Sequence, residues 1–292
     1  MRLAVFLAAL ISTSSAFAEE PPLFAVEVSG EGPPVLLIPG LMSSGDVWDE
    51  TVARLKDRYE CHVVTLAGFA GQPPVAERPF LGAVRRELLA YIDKEALARP
   101  VVIGHSLGAT TALALAATAP GKIGPVVAVD GVPFLSGLYD PAATEETSTT
   151  NAGFMAGMMR NAADDAFEAQ SRMSMRFLMK SDSHFEEAVG WAMASDRATV
   201  GDAMYELMTT DWRDEVAAIE SPVLLMMATH QAEGTPMYEP IKAAFAAQAA
   251  PIRNARLAEA KDARHFIMYD DPAWFFAELE GFLAQNRAEP AK

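Results

Sequence analysis

One cysteine is too few for any internal disulfide, and Cys61 alone cannot supply a CxxC zinc site. Positive charge is scarce as well: 23 Lys and Arg stand against 39 Asp and Glu, a net −16 at pH 7. A chain this acidic repels phosphate backbones and anionic lipid, so nucleic acid is not an expected partner. No apolar run approaches the roughly 20 residues that a membrane span requires. No G-x-G-x-x-G follows a strand pattern, and neither a P-loop nor an H-E-x-x-H is present, so no cofactor and no catalytic metal are expected. Internal repeats and low-complexity linkers are also missing. The 292 residues are 51% hydrophobic and 21% charged, the balance of a folded chain. That length allows one large α/β domain or two small ones, without a disulfide or metal staple.

The first residues read as an address. Met1-Arg2 is basic, Leu3 to Ile11 is apolar, and Ala16-Phe17-Ala18 matches an A-x-A cleavage pattern. This predicts a secretory signal peptide over 1–18, cut after Ala18, and export to the periplasm or the medium. The apolar run is too short for a membrane anchor. No cysteine lies near the cut, so a lipid-anchored start is not available. An oxidising compartment suits a chain without paired thiols. Cys61 is expected to be buried and unreactive at the start of a strand.

Short apolar runs then alternate with helical patterns. Val35–Ile38, Val63–Leu66, Val101–Gly104, Val126–Val129 and Val223–Met227 are continuous apolar stretches, as in strands buried on both faces. Trp48–Lys56, Leu81–Leu97 and Leu107–Ala117 between them read as helices. This alternation predicts an α/β fold, a mostly parallel central sheet flanked by helices. Phe24–Val28 with Gly30–Pro34 reads as an antiparallel starter strand and turn, and Ala255–Ala260 as a weak last strand. Pro272–Leu283 is a final helix, capped by Asp271.

Between Asp130 and Ser221 the rhythm breaks. Helical segments near 151–160, 164–179, 184–195 and 198–209 follow one another with no strand run. Ser183-His184-Phe185-Glu186 has the capping-box spacing. Residues 134–215 are therefore read as an inserted helical cap, with 19–133 and 216–292 as the core. The cap holds nine of the fifteen methionines: Met155, Met158, Met159, Met173, Met175, Met179, Met193, Met204 and Met208. They either line an apolar lid over a pocket or fill the cap's own interior.

Gly104-His105-Ser106-Leu107-Gly108 is a G-x-S-x-G placed between a strand run and a helix pattern. Such a tight turn needs glycine at both ends, and it lifts the Ser106 hydroxyl to the top of the sheet at a helix N-terminus. Backbone N–H groups and the helix dipole there suit a developing oxyanion. An ordinary helix cap is the bland alternative for Ser106. His105 reads as turn packing or pocket wall.

With these motifs the sequence resembles the α/β-hydrolase fold family over roughly residues 24–285. Leu36-Leu37-Ile38-Pro39-Gly40-Leu41-Met42 is similar to the family's strand-end loop, with Pro39 where a His is usual. Leu66-Ala67-Gly68-Phe69-Ala70-Gly71 is similar to its D-x-x-G-x-G loop, with Leu66-Ala67 at the acidic start. Ala263-Arg264-His265-Phe266 followed by Asp271-Pro272 looks like its base loop and last helix. The resemblance implies Ser106 as nucleophile, His265 as general base, and the Leu41 and Leu107 N–H groups as the oxyanion hole. The family's usual acid position falls near Gln231, which cannot ionise. The acid is then Asp130, 24 residues after Ser106 as in some branches of the family, or Glu233 in the loop after the run at 223–227. Asp262 reads as a turn residue. The implied activity is that of a serine hydrolase cleaving a carboxylic ester with an apolar acyl or alcohol group, through an acyl-enzyme. Lactone, thioester or amide hydrolysis on the same residues, or a non-catalytic ligand-binding role, are the alternatives. The expected partner is a small apolar ester-like molecule.

Overall fold

Aliphatic runs that cannot face water on either side become the interior strands of one sheet. The computed structural model describes residues 21–286. The leader pattern at 1–18 lies outside the described residues. The strands are β1 (Phe24–Ser29), β2 (Pro34–Ile38), β3 (Glu60–Leu66), β4 (Val101–His105), β5 (Val126–Val129), β6 (Val223–Ala228) and β7 (Ala255–Ala260). Their spatial order is β1-β3-β2-β4-β5-β6-β7. Only β1 runs antiparallel, and it pairs with β3, not with the next strand in sequence. The glycine turn that follows β1 therefore does not fold it back on β2. Gly30 and Gly32 have φ of +84° and +130°, and a Cβ on either would lie 2.4 and 2.7 Å from the Lys56 and Arg58 carbonyls. The chain squeezes past the loop before β3 and enters the sheet on its far side.

Alternate residues of each strand point to opposite layers. Leu36, Ile38, Val64 and Val102 face one hydrophobic cluster, which α2 (Phe80–Lys94) and α3 (Leu107–Thr118) cover. Val35, Leu37, Cys61 and Ile103 face the other, covered by α1 (Asp49–Leu55) and α11 (Pro272–Gln285). Cys61 is fully buried at the start of β3, and burial pushes its thiol up to about 11. A protonated, enclosed thiol is a poor nucleophile. Almost every residue of α3 is buried, as suits a helix apolar on all sides.

Five α-helices stand between β5 and β6: α4 (Ser136–Tyr139), α5 (Glu145–Asn161), α6 (Asp164–Leu178), α7 (Phe185–Met193) and α8 (Arg197–Thr209). α5 starts six residues before the expected 151, because Thr144 and Thr147 form the reciprocal cap that opens it. The capping box expected at Ser183 does not form. His184 occupies the cap position with no side-chain bond to the helix, and the Ser183 hydroxyl turns to His184 Nδ1 at 3.1 Å. Glu186 is held instead by Arg172 of α6, at 2.9 and 3.0 Å. α9 (Tyr238–Ala249) and α10 (Ile267–Asp270) complete the core. The sequence pattern gave no sign of α9, whose Pro240 sits in the first turn, where a missing N–H costs nothing.

The cap is fastened to the core on two sides. On one, Glu206 of α8 accepts the Leu81 and Gly82 N–H groups at the start of α2, at 2.9 and 3.4 Å. On the other, Asp270 bridges the segment after α6 and the loop after β7. Its Oδ1 accepts the Lys180 and Ser181 N–H groups at 2.8 and 2.9 Å, and its Oδ2 accepts the Arg264 N–H at 2.9 Å. The Phe266 N–H adds a bond to the Leu178 carbonyl at 3.3 Å.

At the start of α3, a Cβ on Gly108 would stand 2.2 Å from the Ile38 carbonyl and 2.6 Å from that of Pro39. Backbone on both sides leaves no flexible atom to yield. Gly108→Ala should therefore cost about 3 kcal/mol. In a thermal melt followed by circular dichroism this should lower Tm by roughly 6–12 °C; an unchanged melt would mean the approach of α3 to β2 is looser than described.

Candidate active site

Parallel strands deliver their C-terminal ends to one edge of the sheet, and the loops there share a crevice. β2 and β4 are hydrogen-bonded neighbours with Ile38 opposite Gly104, so the loop after Ile38 and the turn after His105 lie side by side. A Cβ on Gly40 would be 3.3 Å from Ser106 Cβ and 2.9 Å from His105 Nδ1. Gly104 is equally confined, its would-be Cβ 2.1 Å from the Gly108 carbonyl. Between the two glycines Ser106 adopts φ 54°, ψ −116°. For a non-glycine residue this conformation costs on the order of 1–3 kcal/mol. Met42 at φ 59° and Asp130 at φ 47° are also left-handed, and all three line one cavity.

The sequence-predicted residues gather there. Asp130 follows β5, where its N–H donates to the Met226 carbonyl at 2.8 Å. One carboxylate oxygen accepts the Ala228 N–H of β6 at 2.8 Å. The other accepts from His265 Nδ1 at 2.6 Å. A carboxylate can only accept here, so Nδ1 carries a proton and Nε2 is the ring nitrogen left to face the cavity's chemistry. Both side chains are largely enclosed, 13% and 18% exposed for Asp130 and His265. Such enclosure strengthens the pair relative to one in water. Ser106 and His265 line the same cavity. Glu233 does not join them: it is exposed, in the turn before α9, and its N–H bonds the Thr229 carbonyl at 3.0 Å. Of the two acids the sequence offered, the structure brings only Asp130 to the histidine.

His105 serves as packing and as pocket wall together. Its Nε2–H donates to the His265 carbonyl at 3.0 Å, and the two rings lie 4.5 Å apart. Complete burial, reinforced by the neighbouring His265, holds the His105 imidazole well below its ordinary range. It remains a neutral strut under the loop that carries His265. Leu41 and Leu107 bracket Ser106, one on the loop after β2 and one at the first position of α3. Neither N–H has a hydrogen-bond acceptor in the protein among the described residues. The first N–H groups of a helix have no partner within it, so Leu107 is a ready donor.

The cavity above these groups encloses about 660 Å³. The cap supplies its roof. Met155, Met159, Met175, Met204 and Met208 line it, whereas Met158 and Met173 are exposed and Met179 is buried in the packing below. Met159 and Met175 line the cavity and pack into the interior at once, Met179 serves the interior alone, and the exposed Met158 and Met173 fit neither reading. Among the described residues, no three His, Cys, Asp or Glu side chains are placed to hold a metal ion. No helix among them is long and apolar enough to cross a membrane. Asp270, which ties the base loop to the cap, was not foreseen. It acts on backbone N–H groups distant in sequence, and such contacts leave no residue-type signature.

Known proteins place this geometry in context. The pimeloyl-[acyl-carrier protein] methyl ester esterase of Methylococcus capsulatus is 35% identical over 109 residues, 37% of this chain and 41% of that protein. The enzyme of the same name from Aliivibrio fischeri strain MJ11 is 25% identical over 267 residues, 89% of this chain and 97% of its own. Among solved structures, the enol-lactonase from Burkholderia xenovorans LB400 superposes with a TM-score of 0.72 at 19% identity, over 89% of this chain and 96% of that one. At such low identity the last likeness speaks for the fold alone. The sequence model of the alpha/beta hydrolase family matches residues 35–278. With the strained serine turn, the acid–histidine pair and the inserted helices in their expected order, that match shows that the chain belongs to the alpha/beta hydrolase family.

Proposed function

We propose that the protein is a serine hydrolase of carboxylic esters, and that Ser106, His265 and Asp130 act in sequence on an acyl group. The observation that carries the reading is the 2.6 Å bond from His265 Nδ1 to Asp130, in the same cavity as the raised Ser106. The ester bond is supported by the relatives named as methyl ester esterases. Ser106 Oγ attacks the carbonyl carbon as His265 Nε2 takes its proton. The negative charge on the carbonyl oxygen is met by the Leu41 and Leu107 N–H groups. Collapse of the tetrahedral intermediate expels the alcohol, which receives the proton from His265. Water, deprotonated by the same nitrogen, then releases the acid and restores Ser106. Asp130 keeps the ring in the Nδ1–H tautomer and stabilises the imidazolium while it exists. The methionine-lined roof suits an apolar acyl or alcohol group, since thioether side chains adapt to irregular apolar shapes.

Hydrolysis of p-nitrophenyl esters from acetyl to long acyl chains tests the reaction. Ser106→Ala should reduce turnover by about 10⁴-fold or more, and Asp130→Asn by about 10³–10⁴-fold. Glu233→Gln should stay within about twofold of the parent, as an exposed side chain remote from the histidine. Turnover that survives Ser106→Ala would sink the mechanism. A fluorophosphonate probe that labels Ser106 without any ester turnover would redirect the assignment to a lactone, thioester or amide. A protein that neither labels nor turns over would be a ligand-binding member of the fold.

We also propose that it acts outside the cytoplasm, on the support of the leader pattern at 1–18. Amino-terminal sequencing of protein recovered from the periplasm or medium of an expressing bacterium should begin at Glu19. Full-length protein confined to the cytoplasm would overturn this.

A further inference from the structure

We infer that the cavity selects an uncharged ester whose end nearest the cap carries a hydroxyl or amide group, and that it rejects substrates bearing a carboxylate. This rests on the ester-hydrolase reading and goes on to name the substrate class. The cavity of about 660 Å³ has no lysine or arginine in its lining among the described residues. Its ionisable groups are Asp130, Asp140, Tyr139, His105 and His265. Asp130 is already committed to His265, and His105 to a backbone carbonyl. A carboxylate brought in would lose its water, find no lysine or arginine, and meet Asp130, whose partner His265 is already taken, and the exposed Asp140. Desolvating an ion without a partner costs several kcal/mol. The net −16 of the chain opposes its approach as well.

The cap wall is apolar but not uniformly so. Ser171 on α6 is only 4% exposed and lines the cavity. Its hydroxyl has no hydrogen-bond partner in the protein among the described residues, unlike Ser148, which donates to the Thr144 carbonyl at 2.7 Å. A hydroxyl that faces a cavity without a protein partner is a place for a ligand's donor or acceptor. Gln170 and Ser174 flank it on the same helix, and Asn151 faces the cavity from α5; none of these side chains is bonded to the protein among the described residues. Neutral amides and hydroxyls of this kind can both give and accept hydrogen bonds, which suits a hydroxyl or amide and does not neutralise an anion.

Three p-nitrophenyl esters of equal chain length separate the cases: octanoate, 8-hydroxyoctanoate and the mono-ester of octanedioate. The carboxylate ester should be cleaved about a hundredfold less efficiently than octanoate in kcat/KM. The hydroxy ester should be cleaved more efficiently than octanoate, and a hydroxy ester no better than octanoate would overturn the selection for a hydroxyl. Ser171→Val should lower the hydroxy-to-plain ratio about three- to tenfold, the worth of one hydrogen bond. Gln170→Lys, or Ser174→Lys if the first does not fold, should raise the carboxylate-to-plain ratio at least about tenfold by supplying the missing cation. Equal cleavage of the carboxylate ester would overturn the inference and leave the ester-hydrolase reading standing. A measurement independent of catalysis separates the two further. Calorimetry on Ser106→Ala should detect 1,8-octanediol binding and no octanedioate binding. Octanedioate binding as tightly as the diol would overturn the inference even if no ester were ever turned over.

Discussion

The whole site hangs on a turn that the backbone would not adopt by itself. Ser106 stands at φ 54°, ψ −116° because β4 ends against β2 while α3 begins against the same backbone. Gly104 and Gly108 permit that approach, and the packing of α3 along its full length pays its conformational cost. Had either layer been looser, the turn would relax and the hydroxyl would sink into the helix cap. The left-handed backbone at Met42 and Asp130 belongs to the same arrangement. Three strained residues from three strand ends meet over one cavity, held by a sheet that is buried on both faces. Strain concentrates at sites because only a rigid surround can sustain it.

Much of this was legible in residue order. The two glycines around His105-Ser106-Leu107, after a strand run and before a helix, could hardly specify another local geometry. Asp130 and His265 could be named, yet their pairing could not be decided between Asp130 and Glu233. That choice depends on which strand end lies beside the base loop, a matter of sheet order. β5 pairs with β6 and hands the Asp130 carboxylate to both the Ala228 N–H and the imidazole, while the turn at 229–235 carries Glu233 outward.

The misses share a cause: the winning contacts lay outside the local window. The spacing at Ser183 is that of a capping box, but Glu186 had a better partner in Arg172 on the neighbouring helix. The early start of α5 depends on a threonine pair, where a threonine replaces the customary glutamate at the third position. Thr147 to Thr150, with its β-branched residues, reads as a poor helix until tertiary packing on α8 holds it. α9 is rich in alanine, and alanine marks no face.

Two of the helices that wall the cavity, α5 and α6, differ in what they are fixed to. α6 is joined through Asp270 to the backbone beside His265, whereas α5 lies on α8 and reaches the core through the cap. α6 runs into the segment that Asp270 ties to the loop carrying His265. α5 lines the chamber and makes none of the hydrogen bonds that Asp270 carries to the loop of His265. The fold thereby separates a conservative wall from a permissive one. New substrate ranges are reached more cheaply through positions such as Asn151 and Met155 than through Ser174 or Met175.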